Sequence, residues 1–149
     1  MNRNVSEAAV RLLKIRTYSQ QELEQKLLKQ GFDEVAVSEA IEYVTKRGYL
    51  NDAALCDMLV ERYTESNKYS FKETYLRLRR RGLPTTMINE KLTDWDSNLE
   101  YQAAIKIAMK ILHSKENPDL HKIIRRLSAK GFKAATVSKV LAHLKDMAP

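Results

Sequence analysis

LLKQGFDEVAVSEAI (Leu27–Ile41), LRRRGLPTTMINEKL (Leu78–Leu92) and LSAKGFKAATVSKVL (Leu127–Leu141) align without a gap around Gly31, Gly82 and Gly131. In each stretch a leucine stands four residues before the glycine and an apolar residue (Phe32, Leu83, Phe132) one after it. Further apolar residues follow at six (Val37, Ile88, Val137) and at ten (Ile41, Leu92, Leu141). Twelve residues upstream of each glycine stands a helix-capping type: Ser19, Ser70 and Asp119. A fixed period of this kind is the signature of a repeat protein.

Working outward, each stretch reads as a helix, a stop and a second helix. Ser19 with Glu22, and Ser70 with Glu73, have the spacing at which two side chains satisfy the free amides of a helix start. Glycine ends the helix because it takes the left-handed conformation without a Cβ clash. Gly48 reads as the stop of another helix, and Pro84 fits the opening turn of the helix after Gly82. A preceding helix completes each unit. Its stripe is Val5, Ala8, Ala9, Leu12 and Leu13 in the first, and Leu55, Leu59 and Tyr63 in the second. In the third it is Tyr101, Ala104, Ala108, Ile111 and Leu112, after a Ser97–Glu100 pair with capping-box spacing. No stretch alternates with the period of a strand. The expected fold is all-α, with three tandem three-helix repeats spanning 1–50, 51–96 and 97–149. Units this small bury little core alone and lean on their neighbours, so an elongated or curved array is expected. Trp95, in the joint after Leu92, reads first as a packing peg and second as a contact for a partner.

Composition limits the function. The 149 residues include a single cysteine, Cys56, which excludes an intramolecular disulfide framework and suits the cytoplasm. No apolar run approaches membrane-spanning length, and Met1-Asn2-Arg3-Asn4 leads straight into charged sequence rather than a signal peptide. Enzyme signatures are absent: there is no phosphate loop, no His-Glu-x-x-His and no paired cysteines. His113, His121 and His143 read as helix-face residues, and Cys56 as core. Neither catalysis nor a cofactor or metal is expected.

The formal net charge is +7, and residues 98–149, with 10 basic and 4 acidic side chains, supply most of it. Such a balance favours an anionic partner. Lys122, Arg125, Arg126 and Lys130 recur at helical spacing, and Lys133 continues the patch past Gly131. Arg77, Arg79, Arg80 and Arg81 form a second cluster around Phe71, Tyr75 and Leu78. Arginine forks suit phosphate and carboxylate equally, so these nine cations are candidates for either a nucleic-acid or an acidic protein contact. A helix–turn–helix reader of DNA is disfavoured in the first unit, where Asp33, Glu34 and Glu39 make the second helix acidic.

The order Ser19-Gln20-Gln21-Glu22-Leu23, Lys26-Leu27, Gly31-Phe32, Gly48-Tyr49-Leu50-Asn51-Asp52-Ala53, Tyr63, Leu76, Arg81-Gly82-Leu83 resembles the RecX family of bacterial recombination regulators. The resemblance covers nearly the whole chain, and the Gly48–Asp52 segment is its most specific part. It implies tandem three-helix repeats and no catalytic residues. It also implies binding to RecA, above all its filament on single-stranded DNA, as part of DNA repair, homologous recombination and the SOS response. Members of the family lie in the filament groove, hinder ATP hydrolysis and strand exchange, and favour net disassembly. One departure stands out: the first unit is almost neutral, with 8 basic and 7 acidic residues in 1–50, so DNA contact is not expected across all three units. Asp52 matches the motif and reads as the cap of the helix that begins there. A monomer that binds RecA, with or without direct contact to single-stranded DNA, is the expectation. The alternative is a sequence-tolerant nucleic-acid binder that needs no protein partner.

Overall fold

Ser19 begins the second helix as its spacing with Glu22 predicts: its hydroxyl accepts from the Glu22 amide while the Glu22 carboxylate accepts from the Ser19 amide. A computed structural model describes residues 4–114 and 119–147, which form nine helices with no strand among them. Met1, Asn2 and Arg3 of the expected N-terminal start lie outside the described residues. The helices are α1 (Val5–Ile15), α2 (Gln20–Lys29), α3 (Glu34–Lys46), α4 (Asp52–Ser66), α5 (Phe71–Arg80), α6 (Thr85–Leu92), α7 (Ser97–Leu112), α8 (Leu120–Ala129) and α9 (Ala134–Met147). Three helices thus fall in each repeat. None among the described residues is long and apolar enough to cross a membrane.

Most of the repeated positions are buried, and Phe32 and Leu141 are partly so. Leu27, Leu78 and Leu127 are fully buried, as are Leu83 and Ile88, while Val37, Phe132 and Val137 are nearly so. In repeat 1, α1, α2 and α3 close on Ala9, Leu23, Leu27, Ala40 and Val44. In repeat 3, α7, α8 and α9 close on Ala104, Ala108, Ile123, Leu127 and Val140. The chain divides into two compact units, residues 1–59 with 78–90 and residues 60–77 with 91–149, so repeat 2 is shared between them.

One contact occurs once in each unit. In the first, the Gly82 turn lies on the start of α2, and a Cβ at Gly82 would stand 3.0 Å from both Ser19 Oγ and Gln21 Cβ. In the second, the Gly131 turn lies on the start of α5, where a Cβ would meet Ser70 Oγ at 3.1 Å and Lys72 Cβ at 3.3 Å. Ser19 and Ser70 are equivalent residues, and so are Gln21 and Lys72. Glycine is therefore required at these turns by close approach as well as by positive φ. Ser70 also donates its hydroxyl to the Lys130 carbonyl at 2.9 Å while accepting from the Glu73 amide, so the cap serves two elements.

Three helix starts depart from expectation. Asp96, not Ser97, caps α7 by accepting from the Asn98 amide, and Glu100 points into the core instead of back to the helix start. Pro84 sits one residue ahead of α6, its carbonyl accepting from Ile88. Asn51, not Asp52, caps α4 by accepting from the Ala54 amide. Asp52 instead accepts from the Gln20 amide at 2.9 Å, tying the Gly48–Asp52 segment to the start of α2.

Burial holds the Asp52 carboxyl above its ordinary value of 3.8; the Gln20 hydrogen bond works against this, and the charges of Glu22 and Glu24 add to it. The folded state therefore binds a proton more tightly than the unfolded chain. Stability contributed by the protonated form is lost as pH rises from about 3.8 through the raised folded value. Asp52→Asn retains an acceptor for Gln20 and removes the charge. The variant is expected to melt at or above the wild-type temperature at pH 7, with the difference closing below pH 4, as thermal unfolding at both pH values would show.

Candidate anion-binding groove

Helices α5, α7 and α8 and the segment joining α4 to α5 surround a groove of about 630 Å³ within the second compact unit. Lys68, Arg77, Lys106, Lys110, Arg126 and Lys130 line it, with a single carboxylate, Glu73, among the lining residues. Glu73 is already engaged: its Oε1 lies 3.2 Å from Arg77 Nε. The Arg77 guanidinium also lies over the Tyr69 ring, 4.1 Å from its centroid, so it is held between a carboxylate and an aromatic face. Lys106 donates to the Ser66 carbonyl at 3.3 Å. Lys68, Lys110, Arg126 and Lys130 are exposed. Ile107 and Ile111 supply an apolar floor.

Six cations facing one neutralised carboxylate make a site that attracts polyanions, and its concave wall concentrates the field. Lysine ammonium groups act as point charges suited to phosphodiester or carboxylate, whereas Arg77 and Arg126 add planar forks for two-point recognition. Tyr69 and the isoleucines offer surface on which a base or an apolar side chain could rest.

The nine cations singled out from the sequence are distributed unevenly. Arg77, Arg126 and Lys130 line the groove. Lys122, Arg125 and Lys133 lie outside its lining, with Lys133 Nζ 5.2 Å from the Phe71 ring centroid. Arg79 donates to the Leu83 carbonyl in the turn that follows its own helix, and Arg80 is exposed. Arg81 belongs to the first compact unit, where Nε meets Glu22 Oε2 at 3.1 Å and a terminal nitrogen meets the Thr17 carbonyl at 3.3 Å. The Arg77–Arg81 run is thus not one patch, because consecutive helical residues point around the axis. Arg81→Glu would place a carboxylate against Glu22 at the Gly82 contact. It is expected to cost roughly 2 kcal/mol in a urea unfolding titration, the scale of a lost hydrogen bond to a charged group.

Sequence reasoning missed Lys68, Lys106 and Lys110. Lys106 and Lys110 carried a signal, since they stand four apart on α7 on the face away from Ala104 and Ala108. Lys68 carried none: it lies between α4 and α5, where only the folded chain gives it neighbours. Trp95 packs edge-on against Phe71, with ring centroids 6.1 Å apart. Cys56 is fully buried, and His113, His121 and His143 are exposed. Among the described residues no group of three or more His, Cys, Asp or Glu side chains is arranged to hold a metal ion.

Comparison with known proteins agrees with the resemblance. Residues 7–43 match the family profile described as RecX, first three-helix domain. A protein of Pelodictyon phaeoclathratiforme named Regulatory protein RecX is 28% identical over 137 residues, covering 91% of this chain and 86% of its own. One of the same name from Chlorobaculum tepidum is 26% identical over 133 residues, covering 89% and 83%. The crystal structure of RecX from Lactobacillus salivarius shares the fold with a TM-score of 0.80 at 21% identity, over 95% of this chain and 94% of that one. The profile match covers the first repeat and the relatives about nine-tenths of the chain, so in sequence and in fold this chain is similar to proteins of the RecX family.

Proposed function

We propose that this protein is an inhibitor of RecA that binds the RecA filament on single-stranded DNA and suppresses its ATP hydrolysis and strand exchange. It acts in the cytoplasm as a monomer, with no cofactor and no catalysis of its own. Similarity to relatives named Regulatory protein RecX carries the reading, and the six-cation groove supports it with a surface suited to a DNA-containing filament. Within that reading Arg77, Arg126 and Lys130, with Lys68, Lys106 and Lys110, meet the anionic partner. Arg79, Arg80, Lys122, Arg125 and Lys133 would add longer-range attraction, while Arg81 works mainly inside the protein.

The test is RecA's DNA-dependent ATP hydrolysis, titrated with this protein at fixed single-stranded DNA beside a DNA-only binding control. Inhibition at concentrations well below those that coat the DNA is the expected result. Inhibition that appears only at saturation would establish competition for the strand instead.

The same groove favours a second reading, a nucleic-acid binder that needs no protein partner. If about five cations replace counterions on a single strand, the log–log salt dependence should have a slope of roughly −3.5. A slope near zero for DNA alone would eliminate it.

A further inference from the structure

The three glycine turns are equivalent in sequence, but only two of them are covered. The Gly82 and Gly131 turns each lie against a helix start whose cap is a fully buried serine, with Gln21 or Lys72 pressing beside it. The Gly31 turn is exposed, and a Cβ placed there would meet nothing within 4 Å. Its flanks also differ. Leu28 is 42% exposed and Val35 70% exposed, where repeat 2 carries Arg79 and Thr86 and repeat 3 carries Ser128 and Ala135. The uncovered turn is therefore the one bordered by large apolar side chains, a combination that marks a contact surface.

We infer that the Gly31 turn docks the start of a helix on the protein partner, a helix capped by serine or threonine. The inference rests on the filament reading, the partner being a recombinase protomer. The chain itself supplies the template: the same turn accepts the same kind of helix start once in each compact unit. In one of these contacts the cap hydroxyl donates to the carbonyl of the residue before the glycine, as Ser70 does to Lys130. Asp33 and Glu34, which follow Gly31, favour a lysine at the partner position equivalent to Gln21 and Lys72. A second copy of this chain is the poorer occupant. Its one helix start equivalent to those of α2 and α5, at α8, offers exposed Asp119, whose carboxylate cannot donate to a turn carbonyl.

Leu28→Glu and Val35→Glu together change exposed positions outside the groove. The double variant is expected to need about ten times more protein for half-inhibition of RecA ATP hydrolysis, the loss that follows truncation of a central contact. Its thermal midpoint and its affinity for single-stranded DNA alone should match wild type. Equal inhibition by wild type and variant would overturn the docking assignment and leave the filament reading standing. Sedimentation showing wild-type dimers and variant monomers would assign the turn to a second copy and overturn the proposed occupant. A wild-type chain that leaves hydrolysis unchanged would bring down the filament reading and the docking assignment with it.

Discussion

Replacing Lys68, Lys110, Arg126 and Lys130 together by glutamate should lower affinity for single-stranded DNA by about three orders of magnitude at 0.1 M salt. The figure follows from counterion release. Each cation that neutralises a phosphate on a single strand contributes roughly 0.7 to the log–log salt slope, which at 0.1 M is about 0.7 of a log unit of affinity. Four such contacts give nearly three, and the introduced carboxylates add repulsion. The fold should tolerate the change, because these four side chains are exposed. Fluorescence anisotropy with a labelled oligonucleotide over a salt series measures both quantities. The variant's slope should fall towards −1 while its far-ultraviolet circular dichroism stays unchanged. An undiminished slope would place the DNA contact elsewhere. Reversal of three cations at Lys26, Lys29 and Lys46, exposed residues of the nearly neutral first repeat, should reduce affinity far less. That contrast separates a groove from diffuse positive charge.

Much of the fold was legible because the information lay within a few residues of where it acts. A capping serine and its helix are adjacent, a glycine stop needs only its own φ, and the buried positions recur at spacings of four, six and ten. Legibility failed where a side chain has a local and a distant option of equal chemical merit. Ser97 and Glu100 stand at capping-box spacing, yet Glu100 bonds to the Phe71 amide and the Thr136 hydroxyl, 29 and 36 residues away. Asp52 stands at the head of α4, yet accepts from Gln20, 32 residues back. The groove was partly legible for the same reason. Arg126 and Lys130 share a helix face and could be paired by spacing, but Lys68 and Lys106 meet them only when α5, α7 and α8 assemble. Charge counting found the richest segment, but composition carries no direction, and the Arg77–Arg81 side chains spread around their helix.

Glu100 is where disruption should cost the most stability. It is 2% exposed, and its two carboxylate oxygens accept from different elements: Oε1 from the Phe71 amide at 2.9 Å, at the start of α5, and Oε2 from the Thr136 hydroxyl on α9. One side chain on α7 thus joins three helices of the second unit. In Glu100→Ala, the part-buried Phe71 N–H and the buried Thr136 hydroxyl would lose their acceptor, beside a small cavity. Each orphaned buried donor costs about 1–3 kcal/mol, so a loss of roughly 3–4 kcal/mol is expected. For a chain of this length that corresponds to a fall of about 10 °C in thermal midpoint. Glu100→Gln keeps the shape and one carbonyl acceptor, and should lose about 1 kcal/mol. The effect should reach the groove as well. Arg77 and Glu73 stand on α5 while Lys106 and Lys110 stand on α7, and the Phe71–Glu100 bond fixes the start of one helix against the other. At a temperature where Glu100→Ala remains folded, its affinity for single-stranded DNA should fall severalfold although no groove cation has changed. Glu100→Gln should bind as wild type does. If both variants bound DNA equally well, the carboxylate would be a stabiliser of the bundle with no part in shaping the groove.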